Sequence, residues 1–236
     1  MKELLFLDVE SSGAEEEDRL LQLAYKGKGV GTINELFNPG VPIKAGAKAV
    51  HHITEREVQD KPFFQNSMRH SSLLSLTGDY ILVAHNAVFD RGMLAKHGVV
   101  FDDYICTLKV ARHLDEGQFE NHTLQYLRYF YDLDIDLGGL SPHDALADII
   151  VLEQVFERLA SEISTKYGFD EPEHTQAKMV EISKNPNLLK ICQFKKHKGE
   201  TWEDVCKNDP SYIRYFDDKD VDEDTRFTMN YWMNKR

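Results

Sequence analysis

Near its start the chain carries an apolar run, Leu4–Leu7, that passes straight into two carboxylates, Asp8 and Glu10. A short apolar run without helical spacing predicts a buried strand, here Glu3–Val9, and side chains two apart on a strand leave the same face. Such a fold must bury a strand whose end delivers two acids side by side, where they can share one cation. A strand that simply runs into an acidic loop would have the same sequence. The small residues that follow, Ser11, Ser12 and Gly13, suit either the close approach of a phosphate or sugar or a plain turn.

Further strands are expected over Arg19–Lys28 and Gly29–Phe37, as a hairpin turning at Gly27 and Gly29, and over Tyr80–Ala84 and Tyr104–Cys106. Helical patterns cover Val88–His97, Thr107–Leu114 and Thr123–Tyr131, and a long helix begins near Ser141. Thr54 and Glu57 have the spacing of a capping box, and Pro62 opens another helix. A meander followed by strands alternating with helices predicts an α/β fold, a mixed five-stranded sheet flanked by helices, with its ligand site at strand ends. Composition shifts after Tyr167. Residues 1–167 are read as the main domain, 168–187 as a polar linker and 188–236 as a small C-terminal helical unit.

The net charge of −12 argues against holding nucleic acid through bulk electrostatics, although divalent cations can reverse the sign of an acidic pocket. Three cysteines, Cys106, Cys192 and Cys206, give no disulfide framework and fit a reducing compartment. The N-terminal apolar core is too short for a signal peptide, and no run approaches a membrane span, so a cytoplasmic protein is expected.

Two later segments add polar residues at helix starts. In Val83–Leu94, VAHNAVFDRGML, Asp90 lies about one turn into a helix that follows a strand, with His85, Asn86 and Phe89 beside the same opening. His85 and Asn86 suit substrate contact or loop bonding and capping equally, whereas Phe89 suits the core. In SPHDALADIIVL, Ser141 has the character of an N-cap, Pro142 of a first helical residue, and Asp144 completes capping-box spacing. His143 then falls in the first turn. Asp148 lies about 140° around the helix from it, so a carboxylate can hold metal while an imidazole approaches from another side and handles protons. Ile149, Val151, Leu152, Val155 and Phe156 form the apolar stripe of that helix, and with Cys106 they are read as core.

DVESSG, HNAVFD and HDALAD stand in this order, and together they resemble the DEDDh branch of the DnaQ-like 3′ to 5′ exonucleases, whose motifs read DxExxG, HNxxFD and HxxxxD. The likeness spans roughly residues 1–165, and VHHITEREVQDKP is similar to the segment between the first two motifs. Ser11 and Ser12 stand where threonines are common and His52 where glycine is frequent, none of them a metal ligand. The tail FKKHKGETWEDVCKNDPSYIRYF resembles the C-terminal segment of the exodeoxyribonuclease X branch, with Lys195 in place of a glycine.

The resemblance implies a ribonuclease H-like fold and two Mg²⁺ ions, with Mn²⁺ able to substitute, held by Asp8, Glu10, Asp90 and Asp148. His143 would be the general base, and Ser11, Ser12, Gly13, His85, Asn86 and Phe89 would contact substrate. It implies release of 5′-mononucleotides from nucleic acid with a free 3′ end, DNA in preference to RNA, with DNA polymerase or repair proteins as partners. An RNA-directed enzyme or a proofreading subunit of the same family is the alternative, and an inactive nucleic-acid-binding scaffold is the alternative from another class.

Three other readings compete locally. His143 and Asp144 could be the adjacent pair of a metal phosphohydrolase, with His51 or His52 as further ligands, although such domains are helical throughout. Cys192, His197 and Cys206 could hold zinc, but their spacing is irregular. Lys195, Lys196 and Lys198 beside Phe194, His197 and Trp202 could track a nucleic-acid backbone, or the tail could be a packing subdomain.

Overall fold

The computed structural model describes residues 2–140 and 143–235. Strand β1 (Glu3–Ser11) is the middle strand of a five-stranded sheet, flanked on one side by β2 (Leu20–Gly27) and β3 (Gly31–Leu36), and on the other by β4 (Tyr80–Ala84) and β5 (Tyr104–Cys106). β1, β2 and β3 pair antiparallel, whereas β4 and β5 continue the sheet in parallel. The hairpin closes with Gly27 opposite Gly31, and both Gly29 and Gly31 take positive φ, which only glycine adopts without steric cost.

Helices α1 (Ala45–His51), α2 (Glu55–Val58) and α3 (Met68–Leu76) precede β4, and α4 (Ala87–Ala95) follows it. After β5 come α5 (Thr107–Leu114), α6 (Leu124–Phe130), α7 (Ala145–Tyr167) and α8 (Pro172–Lys184). The chain ends in α9 (Trp202–Asn208), α10 (Pro210–Arg214) and α11 (Glu223–Asn234). No helix among the described residues is long and apolar enough to cross a membrane.

Alternation along β1 divides the core. Leu4 and Phe6 join a cluster built from α5, α6, α7 and α8, while Leu5, Leu7 and Val9 join one that includes Leu73 of α3 and Met93 and Leu94 of α4. Being covered on both faces explains why the strand reads as a continuous apolar run. The stripe Ile149, Val151, Leu152, Val155 and Phe156 is wholly buried in the first cluster, and Cys106 is also buried.

Several boundaries differ from expectation. α1 was not anticipated, because its seven residues bury only His51 and so carry no apolar period. The helix expected from Pro62 begins after a single 3-10 turn at Phe64–Asn66 and is capped by Ser67, whose hydroxyl accepts the His70 N–H. The long helix starts at Ala145 rather than near Ser141. Asp144 is its N-cap, accepting from the N–H groups of Leu146 and Ala147. The expected roles of Ser141 and Pro142 lie outside the described residues.

Residues 168–187, read as a linker, contain α8, a polar helix that buries Thr175, Met179, Ile182 and Ser183. It covers β5 at the edge of the sheet, where the Ser183 hydroxyl accepts the Cys106 N–H at 2.8 Å and donates to the Met179 carbonyl. Beyond it, Cys192, Trp202, Val205, Cys206, Ile213 and Met229 form a separate small core. That C-terminal unit attaches to α5 through charge. Arg112 pairs with Asp222 and Asp224, Lys109 pairs with Glu223 and Asp224, and buried Asp224 also accepts the Asn187 N–H.

Ser183→Ala strands the buried Cys106 N–H without an acceptor, which costs about 1–3 kcal/mol. Urea denaturation at neutral pH measures it. A loss below about 0.5 kcal/mol, the scale of an inconsequential surface change, would show that this contact does not anchor α8.

Candidate active site

Phe6 on β1 meets Phe156 on α7 edge to face, with ring centroids 5.3 Å apart. From Phe6 to Glu10 the strand advances about 13 Å, and from Phe156 back to Asp148 the helix retreats about 12 Å. The two elements therefore bring the first turn of α7 level with the acidic end of β1. Oxygen atoms of Asp8, Glu10 and Asp148 all lie within 4.8 Å of one another. Asp90 arrives from the other side: β4 pairs with β1 only as far as Phe6 and Val83 before turning into α4. One turn into that helix, the Asp90 carboxylate accepts the Val9 N–H, 3.1 Å away.

These acids are desolvated and repel one another. Burial, then the charges of Asp90, Asp148 and Glu10, hold the Asp8 carboxyl well above its ordinary range. Burial and the same kind of repulsion push Glu10 up to about 8. Asp90 is pushed up to about 7 by burial, against the opposing bond from Val9. Asp148 is raised by burial, with His143 and the Gln125 amide partly offsetting it. Among the described residues no Lys or Arg pairs with any of the four. A buried negative cluster with only oxygen donors and no cationic side chain fits hard divalent cations such as Mg²⁺ or Mn²⁺.

His143 stands outside the helix rather than in its first turn, on a turn with φ of 65°, a strained value for a residue with a Cβ. Its Nδ1 lies 4.0 Å from Asp148 Oδ2, and its side chain is 54% exposed. Asp8, Glu10, His143 and Asp148 line one cleft of about 840 Å³ together with His85 and Asn86. Asp90, Ser11, Ser12, Gly13 and Phe89 are not among its lining residues.

The remaining expected residues divide by their bonding. His85 bonds through Nδ1 to the Thr107 hydroxyl and through Nε2 to the His122 carbonyl; burial lowers its pKa to about 4, so it is a neutral brace. Asn86 occupies the N-cap position of α4 with φ of 64°, yet its side chain makes no cap and stays exposed at the cleft. Phe89 packs partly against the α3 and α4 cluster. The Ser12 hydroxyl donates to Asp18 and accepts the Arg19 N–H, while the Ser11 hydroxyl donates to the Gly13 carbonyl. Gly13 is required by packing, since a Cβ there would collide with the Asp18 carboxylate.

Neither competing metal site forms. His51 Nδ1 accepts the Ile53 N–H and Nε2 donates to the Ser11 carbonyl, which leaves no ring nitrogen for a metal, and Asp144 is committed to capping. Cys192 and Cys206 lie in the small C-terminal core, while His197 bonds to Glu200 and Asp209. In another acidic group, Glu15, Glu17 and Asp18, each carboxylate pairs with Lys44.

Two supporting residues escaped the sequence reading. Gln125 of α6 donates to Asp148 Oδ1 at 3.1 Å, fixing that carboxylate. Gln22, opposite Glu10 on β2, bonds to Asn34 and Asp144 and accepts the Ala145 N–H, seating the start of α7 on the sheet. No motif marks either one. The pairing of Gln22 with Glu10 becomes legible only once the hairpin register is known.

Raised carboxyl pKa values make the metal-free fold pH-dependent in a definite direction. Folded Glu10 and Asp90 retain protons that the unfolded chain gives up near pH 4, so stability falls as pH rises from about 4 to 8. Asp90→Asn removes one charge while its Oδ1 can still accept the Val9 N–H. In EDTA at pH 8 the variant should melt at least about 3 °C above the parent, since 1 kcal/mol moves a domain of this size about 2–4 °C, and the gain should vanish at pH 4. A parent more stable than the variant at pH 8 would contradict the repulsive cluster.

The RNase_T exonuclease family model matches residues 5–156. Exodeoxyribonuclease 10 of Escherichia coli (strain K12) is 32% identical over 211 residues, covering 88% of this chain and 87% of that protein. The DNA polymerase III subunit epsilon of Buchnera aphidicola subsp. Acyrthosiphon pisum is 33% identical over 129 residues, 51% of this chain and 52% of that one. Exonuclease X, solved in complex with 5′ overhanging duplex DNA, superposes with a TM-score of 0.59 at 27% identity, covering 76% of this chain and 99% of that chain. The sheet and its flanking helices are thus the ribonuclease H-like fold that the three motifs implied. With its acids gathered at one strand end and these similarities in sequence and structure, the chain belongs to the DnaQ-like RNase_T exonuclease family and is an exonuclease, a hydrolase.

Proposed function

We propose that this chain removes nucleotides one at a time from the 3′ end of DNA, releasing 5′-mononucleotides. The observation that carries the reading is the gathering of Asp8, Glu10 and Asp148 oxygens within 4.8 Å, in a cleft that also presents His143. Asp8, Glu10, Asp90 and Asp148 would hold two Mg²⁺ ions, which would supply stabilisation of the charge that develops during an in-line displacement. Mn²⁺ satisfies the same oxygen donors.

The chain's own groups supply the rest. Gln125 and the Val9 N–H hold two of the carboxylates in place before substrate arrives. Asp148 faces Nδ1 of His143, so Nε2 is the nitrogen that takes the proton from the attacking water. The exposed ring then returns that proton to solvent. Water adds to phosphorus, the bond to the 3′ oxygen of the preceding nucleotide breaks, that oxygen takes a proton from solvent, and the shortened strand leaves with a new 3′ hydroxyl. Of the six residues expected to contact substrate, Asn86 and His85 line the cleft, with Asn86 exposed there, while the side chains of Ser11, Ser12 and His85 also hydrogen-bond within the protein.

Incubation with 5′-labelled single-stranded DNA, duplex DNA and RNA, in Mg²⁺ or EDTA, tests this. A ladder shortening from the 3′ end is expected in Mg²⁺ alone, fastest on DNA, with 5′-mononucleotides as product. His143→Ala should lower kcat about 10²–10⁴-fold, the range of a general base, and Asp90→Ala should abolish the ladder. Products bearing a 3′ phosphate, or full activity in Asp90→Ala, would refute the mechanism. Faster shortening of RNA would reassign the substrate.

A further inference from the structure

The cleft that holds the acid cluster has a second wall, and that wall belongs to the C-terminal unit. Leu189, Ile191, Gln193 and Phe194 line the same cleft as Asp8, Glu10 and Asp148. Ile191 is half buried and lines the cleft, yet it joins none of the apolar clusters. Its backbone is pinned by a bridge to Thr201 and its side chain rests against Gly117. Gln193 donates to the Phe119 carbonyl, which ties this stretch to the main domain. The wall is therefore held in place rather than loosely attached.

Charge changes along the same segment. Residues 188–236 carry ten Lys and Arg against ten Asp and Glu, so the whole net charge of −12 sits on residues 1–187. Immediately after Phe194 the chain presents exposed Lys195, Lys196 and Lys198. Lys196 is paired with Asp209 and His197 with Glu200 and Asp209, which removes two members of the basic and aromatic cluster seen in the sequence, while Trp202 is buried in the small core at the edge of the same cleft. Lys195 and Lys198 have no ion-pair partner among the described residues.

We propose that Leu189, Ile191 and Phe194 form the wall against which the unpaired bases at the 3′ end of a single strand lie, with Lys195 and Lys198 meeting its phosphates where the strand leaves the cleft. This rests on the exonuclease reading and extends it to the choice of substrate. Every base presents an apolar face, so contacts of this kind are tolerant of sequence, while lysines beside them follow the backbone. A strand end with its bases unpaired can use this wall, and one whose bases are engaged in a duplex cannot. The C-terminal unit thereby selects unpaired ends.

Fluorescence anisotropy in Ca²⁺, with the full chain, tests the wall. The two probes are a 5′-labelled oligothymidylate and the same strand whose last three nucleotides lack bases. The parent should bind the base-free end about tenfold more weakly. Ile191→Ala should weaken the normal strand about fivefold and the base-free strand less than twofold, so the difference between strands shrinks. In Lys195→Ala/Lys198→Ala both strands should weaken, and the slope of log affinity against log salt should fall by about 1.4, two phosphate contacts on a single strand. Equal losses on both strands for Ile191→Ala, or an unchanged salt slope in the lysine pair, would overturn the proposal. These signatures in a chain that hydrolyses nothing would support the wall and refute the exonuclease reading; active hydrolysis without them would do the reverse.

Discussion

Burying carboxylates of like charge beside one another is the constraint around which this structure is organised. Left alone, Asp8, Glu10, Asp90 and Asp148 disfavour their own ionised forms, and no lysine or arginine pairs with them among the described residues. The fold tolerates this because each acid is carried by an element already anchored deep in the core. β1 is clamped on both faces, α7 buries a full stripe against it, and α4 is set by the end of β4. Apolar packing offsets the repulsion, and under the proposed reading divalent cations would relieve what remains of it.

Around that cluster a layer of neutral polar groups fixes geometry. Gln125 orients Asp148, Gln22 seats the start of α7, the Val9 N–H orients Asp90, and His51 locks the loop after β1 through the Ser11 carbonyl. None of these adds charge. His85 performs the same service between β4, α5 and the His122 backbone, and its burial keeps it neutral. Positions set in advance matter for catalysis because the chemistry then need not reorganise its surroundings.

The parts of this arrangement legible in the sequence were those with a strong local signature. The run Leu4–Leu7 marked the central strand because both faces are covered, and Asp8 and Glu10 announced themselves by a spacing of two. α8 escaped because four buried residues in a polar helix give a weak period, and α1 because it buries almost nothing. His143 was placed in a helix by capping spacing, but Asp144 caps in its stead and leaves the imidazole on an exposed turn. Gln125, Gln22 and the C-terminal wall of the cleft arise from contacts between residues far apart in sequence, 23 and 123 positions for the two glutamines, and no local pattern encodes those.

The most direct test of the central claim is to locate the cations themselves by anomalous diffraction from crystals grown with Mn²⁺. Two peaks about 3.5–4 Å apart, bounded by the carboxylates of Asp8, Glu10, Asp90 and Asp148, are predicted. No peak there, or density only at the other acidic group, Glu15, Glu17 and Asp18, would contradict the account.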